Sequence, residues 1–339
     1  METLDYIDNT KNHDTAMNML AEAGIYVLPC IAPYHDEESL DSSAYSSYRH
    51  DVLQSYFKSV DEMTKYSNTL GLVVSCGFIN NASKTVAAPV IRAIVRDVKK
   101  YIRLIAKKKS LRALPVGICA PDERSLLKLQ YDYFVSGSEK EAIDFFGFND
   151  FSQAGSLPMQ QSNYNELIAM FTSSPIPVFF SMYGNNAISP RPFHETNSLY
   201  CDFSMLSTFS GGFVLEFFQS SANFGLIERT ESRRGNIRFT KLTDFRNLRD
   251  RLRGSFMRLP PIASVSPTTI SAGIRPKMPK ISEKWLAMQT IPKSPVQWFN
   301  VEEAIDDSEW VDLSKDVLDE AVEDLGSSFK ERLNINDPS

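Results

Sequence analysis

Apolar runs and amphipathic segments alternate along the first 255 residues, and that alternation limits the folds open to this chain more than any other feature. Ile25–Ile31, Leu70–Cys76, Leu114–Cys119, Phe145–Asn149, Val178–Tyr183 and Gly212–Phe218 read as strands buried on both faces, with a stub near Leu4–Ile7. Between them the spacing predicts helices at Asp14–Glu22, Leu53–Tyr66, Val86–Ala106, Glu123–Gln130, Tyr164–Thr172 and Glu195–Thr208. The Val86–Ala106 segment sets Ile91, Ile94, Val95, Val98 and Ile102 on one face, as a core-facing helix requires. Gly24 stands where a left-handed residue would close the first helix. Strands apolar on both faces and separated by helices belong to a parallel sheet, because each crossover lays a helix on it. Six strands and a stub suit an α/β fold of the (β/α)8 TIM-barrel class that starts abruptly, its first strand missing; such a barrel takes about 250 residues. A doubly wound open sheet stays compatible with the pattern alone.

Three regions follow from this reading: a (β/α) barrel over 1–258, a proline-rich extended segment over 259–300 and an acidic helical tail over 301–339. Pro260, Pro261, Pro267, Pro276, Pro279, Pro292 and Pro295 break any long helix in the second. Val311, Leu313, Val317, Leu318, Val322 and Leu325 give the third an amphipathic face. A net charge of −6 argues against a nucleic-acid partner, since neutralising phosphates takes a basic surface. Lys107-Lys108-Lys109 sits where cations suit a helix C-terminus. Cys30, Cys76, Cys119 and Cys201 have no close spacing, and the four histidines are scattered, so neither a metal site nor a disulfide scaffold nor a cofactor is expected. Cys30, Cys76 and Cys119 each end an apolar run, which predicts buried, reduced thiols. The first thirty residues show no secretory pattern, no apolar stretch nears the roughly 20 residues that span a bilayer, and the last residues are polar. A cytoplasmic chain without transmembrane segment or lipid anchor is the expectation.

In a (β/α)8 barrel the chemistry sits at the C-terminal ends of the strands. Here those ends are Cys76-Gly77-Phe78, Cys119-Ala120-Pro121, Asn149-Asp150-Phe151, Ser181-Met182-Tyr183-Gly184 and Phe217-Phe218-Gln219. A retaining glycosidase needs two carboxylic acids about 5–5.5 Å apart, and across these ends Asp150 stands alone. Period-two alternation sets Glu216 opposite Leu215 and Phe217, and Glu195 lies in a helix-start context.

Several long segments carry a resemblance to a known family. They include Ile7-Asp8, Met17–Val27, Val60-Asp61-Glu62, Lys65–Asn68 and Ile94–Ile102, and further on Pro115-Val116-Gly117, Ile176–Ser181, Tyr183-Gly184, Pro190-Arg191-Pro192-Phe193 and Ser210-Gly211-Gly212. Over about 7–255 the chain resembles the fungal β-1,3-glucanosyltransferases of glycoside hydrolase family 72, which cut β-1,3-glucan and rejoin it to another chain. Trp285, Pro292 and Pro295 echo the family's Trp and prolines further on. The resemblance implies a barrel, β-1,3-glucan as partner and a place at the cell surface or in the cell wall for secreted members.

The departures fall on the chemistry. Where the family has Gly-Asn-Glu, this chain has Ser75-Cys76-Gly77, so Gly77 holds the acid/base position and Cys76 that of the Asn. In the family's Phe-Ser-Glu-Tyr-Gly, the nucleophile position is Met182. Phe146, Phe151 and Phe217 replace Tyr, Gln153 replaces Trp, and Ala16, Ala154 and Asn185 replace cysteines. Losing a general acid alone costs about 10²–10⁴ in rate, and losing the nucleophile removes the double displacement. No catalytic residue is therefore assigned. Asn149, Asp150, Phe151, Tyr183 and Phe217 remain as candidate sugar-binding residues. The first expectation is a catalytically inactive homologue with residual glucan contact. An active transferase using other carboxylates, and a decayed gene product without selected activity, are the alternatives.

Overall fold

A computed structural model describes residues 2–4, 7–33, 45–153, 163–233, 235–256, 274–298 and 300–302. Strand β1 (Glu2–Leu4) leads through α1 (Asp14–Glu22) to β2 (Val27–Pro29), and α2 (His50–Met63) to β3 (Leu72–Cys76). Next come α3 (Ala88–Lys109), β4 (Val116–Ala120), α4 (Arg124–Val135), β5 (Phe145–Asp150), α5 (Tyr164–Phe171) and β6 (Val178–Tyr183). Helices α6 (His194–Cys201) and α7 (Phe203–Thr208) precede β7 (Gly212–Val214). A hairpin of β8 (Ile227–Glu231) and β9 (Ile237–Lys241), then α8 (Thr243–Phe256), complete the set.

Every neighbouring strand from β1 to β7 is paired in parallel and in chain order, with bridges Val27–Thr69 and Cys30–Val73 joining β2 to β3. A doubly wound sheet reverses its order at a switch point, and no reversal occurs among the described strands. The described strands make an incomplete (β/α) barrel, with seven of its strands in sequence.

Two apolar layers result. Outside the sheet, Val74, Val116, Ile118, Phe146, Phe148, Val178 and Phe180 pack against the helices. Inside it, Leu28, Cys30, Val73, Cys119, Phe145 and Phe179 form a separate cluster, joined by Cys76 and Phe213. The period of two along each strand produces both layers at once.

Local chemistry explains the boundaries. Gly24 has φ +71°, and Gly24 and Ile25 donate their backbone N–H groups to Ala21 and Leu20, closing α1 as its sequence predicts. The segment expected as one helix over Glu195–Thr208 is two, because the Asp202 carboxylate accepts from the N–H of Ser204 and Met205 and starts α7 anew. Strand β7 stops at Val214, four residues before the predicted end: Leu215 still bonds Tyr183, but Glu216 turns to Phe224. The alternation that was to place Glu216 opposite Phe217 therefore does not apply; Glu216 accepts from the Ser220 hydroxyl at 2.6 Å. The β8–β9 hairpin has no counterpart in the sequence reading.

Proline-rich residues 274–298 hold no long element and lie against the helices. Trp285 is fully buried, 5.2 Å from the Tyr133 ring, and Trp298 packs on Phe57 with the Lys100 ammonium 4.2 Å from its ring centre. Arg96 donates to the Pro292 carbonyl, and the Ser294 hydroxyl donates to Asp97. The helical tail expected beyond 302 lies outside the described residues.

Candidate functional site

Two β-bulges shape the C-terminal mouth. Between Val73 and Cys76, three steps on β3 face two on β4 (Val73–Gly117, Cys76–Cys119). Between Phe180 and Met182, two steps on β6 face one on β5 (Phe148–Phe180, Asn149–Met182). A bulge inserts one residue and re-aims the side chains after it. Each bulge lies directly before one of the two positions where the sequence lacks an acid, Gly77 and Met182.

Gly77 has φ +69° and donates its N–H to the Cys119 carbonyl at 2.8 Å. A Cβ built on it would meet nothing within 4 Å, so space for a side chain exists while the side chain does not. Cys76, Gly77 and Phe78 line a cavity of about 300 Å³ beside the end of β3, walled by Val52 and Tyr56 of α2 and by Val90, Ile91 and Ile94 of α3. Met182 is half-buried.

The candidate sugar-binding residues separate into two groups. Asn149 accepts the Ser181 hydroxyl at 2.8 Å on the inner side of the sheet. Phe151 is half-buried, its ring 5.7 Å from Phe224. Phe217 is 50% exposed, edge-on to Phe218, which in turn contacts Phe239 of the hairpin at 5.9 Å. Those rings form an open aromatic surface past the end of β7.

Tyr183 and Asp150 are enclosed instead. Tyr183 is 1% exposed and shares a 3.2 Å hydrogen bond with Thr196 of α6, because the β6 bulge turns it to the same outer side as Phe180. Expected as a sugar-binding residue, Tyr183 has no ring face open to a ligand. Asp150 is 3% exposed, its carboxylate held by Arg124 and the Ser152 hydroxyl. Burial raises its pKa, and the Arg124 charge opposes that rise.

Glu195 was read as an ordinary helix-start residue, yet it is 5% exposed in the first turn of α6. Burial pushes its carboxyl up to about 7, and the nearby Asp150 charge acts in the same direction. A lone carboxylate in a helix start carries no sequence mark of burial. Arg191 shows in the sequence only as one residue of a motif. Its guanidinium donates to the carbonyls of Gly184, Leu215 and Phe224 and pairs with Asp244 at 2.6 Å, fixing the loops that leave β6 and β7. Pro190-Arg191-Pro192-Phe193 was its signal.

Among the described residues, no group of three or more His, Cys, Asp or Glu is arranged to hold a metal ion, and no helix is long and apolar enough to cross a membrane.

This geometry has relatives. The 1,3-beta-glucanosyltransferase PGA4 of Candida albicans is 39% identical over 223 residues, 66% of this chain and 48% of its own length. The 1,3-beta-glucanosyltransferase GAS5 of Saccharomyces cerevisiae is 36% identical over 247 residues, 72% of this chain and 49% of its own. The chain thus spans about half the length of the curated relatives it matches. Among solved structures, Saccharomyces cerevisiae Gas2p in complex with laminaritriose and laminaritetraose superposes with a TM-score of 0.71 at 28% identity, covering 88% of this chain and 66% of that one. The glycoside hydrolase family 72 pattern, described as glucanosyltransferase, matches residues 4–254. With that match spread over the whole barrel, the chain belongs to the glucanosyltransferase family, glycoside hydrolase family 72.

Proposed function

We propose that this chain is a catalytically silent glucanosyltransferase homologue that keeps an aromatic surface for β-1,3-glucan. One observation carries the reading: a hydrogen atom at Gly77 and a thioether at Met182 stand in the two motifs where the family has its acids. Retaining transfer needs one carboxylic acid to protonate the leaving oxygen and a second to form the glycosyl ester. Neither side chain can do either. Asp150 and Glu195 do not replace them, since both are buried, Asp150 against Arg124 and Glu195 within α6.

The bulged strand ends aim the mouth, and Phe217, Phe218 and Phe239 offer ring faces of the kind that pack on sugars. Gas2p binds laminari-oligosaccharides in its solved complex, so the same sugars are the ligands to offer. The full chain incubated with reduced laminari-oligosaccharides should yield neither longer nor shorter products, and any such product would end the silent reading. Calorimetric titration with laminaritetraose should show binding that Phe217→Ala weakens; a flat titration would remove the glucan surface.

A further inference from the structure

Three of the chain's four cysteines, far apart in sequence, meet inside the barrel on adjacent strands. Cys30 extends β2, Cys76 ends β3 and Cys119 lies in β4. None of the four is in a disulfide. The register separates them into a pair and a bystander. Cys30 sits across from Val73, three residues short of Cys76, whereas Cys76 and Cys119 are direct Cα partners.

That partnership depends on the β3 bulge. Val73 faces inward and Val74 outward, so strict alternation would turn Cys76 outward. The extra residue reverses this and brings Cys76 against the inner cluster that holds Cys119. Neighbouring strands lie about 4.8 Å apart, inside the roughly 4.4–6.8 Å of Cα separation that a disulfide spans. The two thiols are already hydrogen-bond partners. On the β5 side Gly147 leaves room for the sulfur: a Cβ there would come within 2.8 Å of Cys119 Sγ. Cys76 is only half-buried at the C-terminal end of β3, which gives a small reagent access to it, while Cys119 is 6% exposed.

We propose that Cys76 and Cys119 form a reversible thiol–disulfide site, with Cys76 as the attacking and Cys119 as the resolving cysteine, whose oxidant is a small aliphatic disulfide. The Cys76 thiol loses its proton to the medium, and its thiolate attacks one sulfur of that reagent and expels one thiolate, which takes up a proton. The Cys119 sulfur, losing its proton to the medium, then attacks the Cys76 sulfur of the mixed disulfide and expels the second thiolate, which is protonated in turn. Two electrons and two hydrogens leave the protein, and the reagent departs as two thiols. The half-buried Cys76 is the thiol a reagent meets first, which assigns the first attack to it; hydrogen bonding to Cys76 and burial also raise the Cys119 thiol's pKa, and the thiolate is the nucleophile. The bond would tie the residue next to Gly77 to β4, and it stands apart from the question of catalysis.

The test is native full-length protein exposed to excess hydroxyethyl disulfide, acid-quenched, then analysed by thiol titration and peptide mapping. The expected result is a fall in free thiols to half, one Cys76–Cys119 cross-linked peptide without retained hydroxyethyl groups, and full recovery on reduction. Cys119→Ser should stop at a stable hydroxyethyl adduct on Cys76. Unreacted thiols, a lasting adduct on Cys76 in the native chain, or a bond to Cys30 or Cys201 would each overturn the proposal. Should the variant fail to fold, the map of the native chain decides alone.

Discussion

Arg191 Nε lies 2.6 Å from Asp244 Oδ2, with the Arg191 side chain 2% exposed and that of Asp244 15% exposed. The pair joins the loop after β6 to the start of α8, and the same guanidinium caps carbonyls on either side of the β7 exit. Removing one partner of a buried pair costs about 3–5 kcal/mol, because the other charge is left uncompensated. Arg191→Met should therefore lower stability in urea by that amount, and Asp244→Asn by less, since its side chain keeps some water. A loss under about 1 kcal/mol for Arg191→Met would show that the pair does not hold the mouth.

Glu195 should make stability depend on pH. Its carboxyl rises from an ordinary 4.5 to about 7, with burial as the main cause. A raised acid contributes stability that is fully present below the unfolded pKa and is lost as pH climbs through the folded one. At about 1.4 kcal/mol per pKa unit, that loss is on the order of 3 kcal/mol between about pH 4.5 and 7. Glu195→Gln should thus match the native chain below this window and exceed it in stability above. Equal stabilities in urea at about pH 8 would refute the assignment.

Two glycines should both lose stability on substitution, by different amounts and for different reasons. Gly77→Ala meets no atom within 4 Å but sits at φ +69°, so it should cost only the left-handed backbone, about 1–2 kcal/mol. Gly117→Ala would place its Cβ 2.3 Å from the Phe145 ring and 2.4 Å from its carbonyl oxygen, and it should cost more. Chemical denaturation of both variants checks the order; a reversed order would mean the inner layer yields.

Trp285 tests whether the proline-rich segment is part of the fold. It is 0% exposed and packs on Tyr133, itself 0% exposed. Trp285→Ala should lower stability by about 3–5 kcal/mol and raise protease cleavage within 274–298. Wild-type stability would mean that the segment rides on the barrel without supporting it.

Much of this was legible in the residues. The alternation of strands and helices, the cap at Gly24, the cation-rich end of α3 and the two missing acids all follow from local pattern and motif, because each depends on neighbours within a turn or a strand. The break at Asp202 was harder to see: a carboxylate that accepts two N–H groups outweighs a continuous apolar period. The hairpin was missed because β8 and β9 are almost wholly exposed: β8 has no alternating apolar face, and in β9 only Ile237 and Phe239 alternate, too short a pattern to mark a strand.

By itself the sequence determined that a parallel α/β sheet would form and that Gly77 and Met182 would bring no acid to its strand ends, since side-chain identity and strand period are local properties; that the sheet curls as a barrel rather than opening doubly wound was decided by the strand order. The tertiary structure decided where side chains point after the bulges in β3 and β6. One inserted residue turns Tyr183 toward the helices and Cys76 toward Cys119. A bulge is defined by a mismatch between two strands, so neither strand's own sequence contains it.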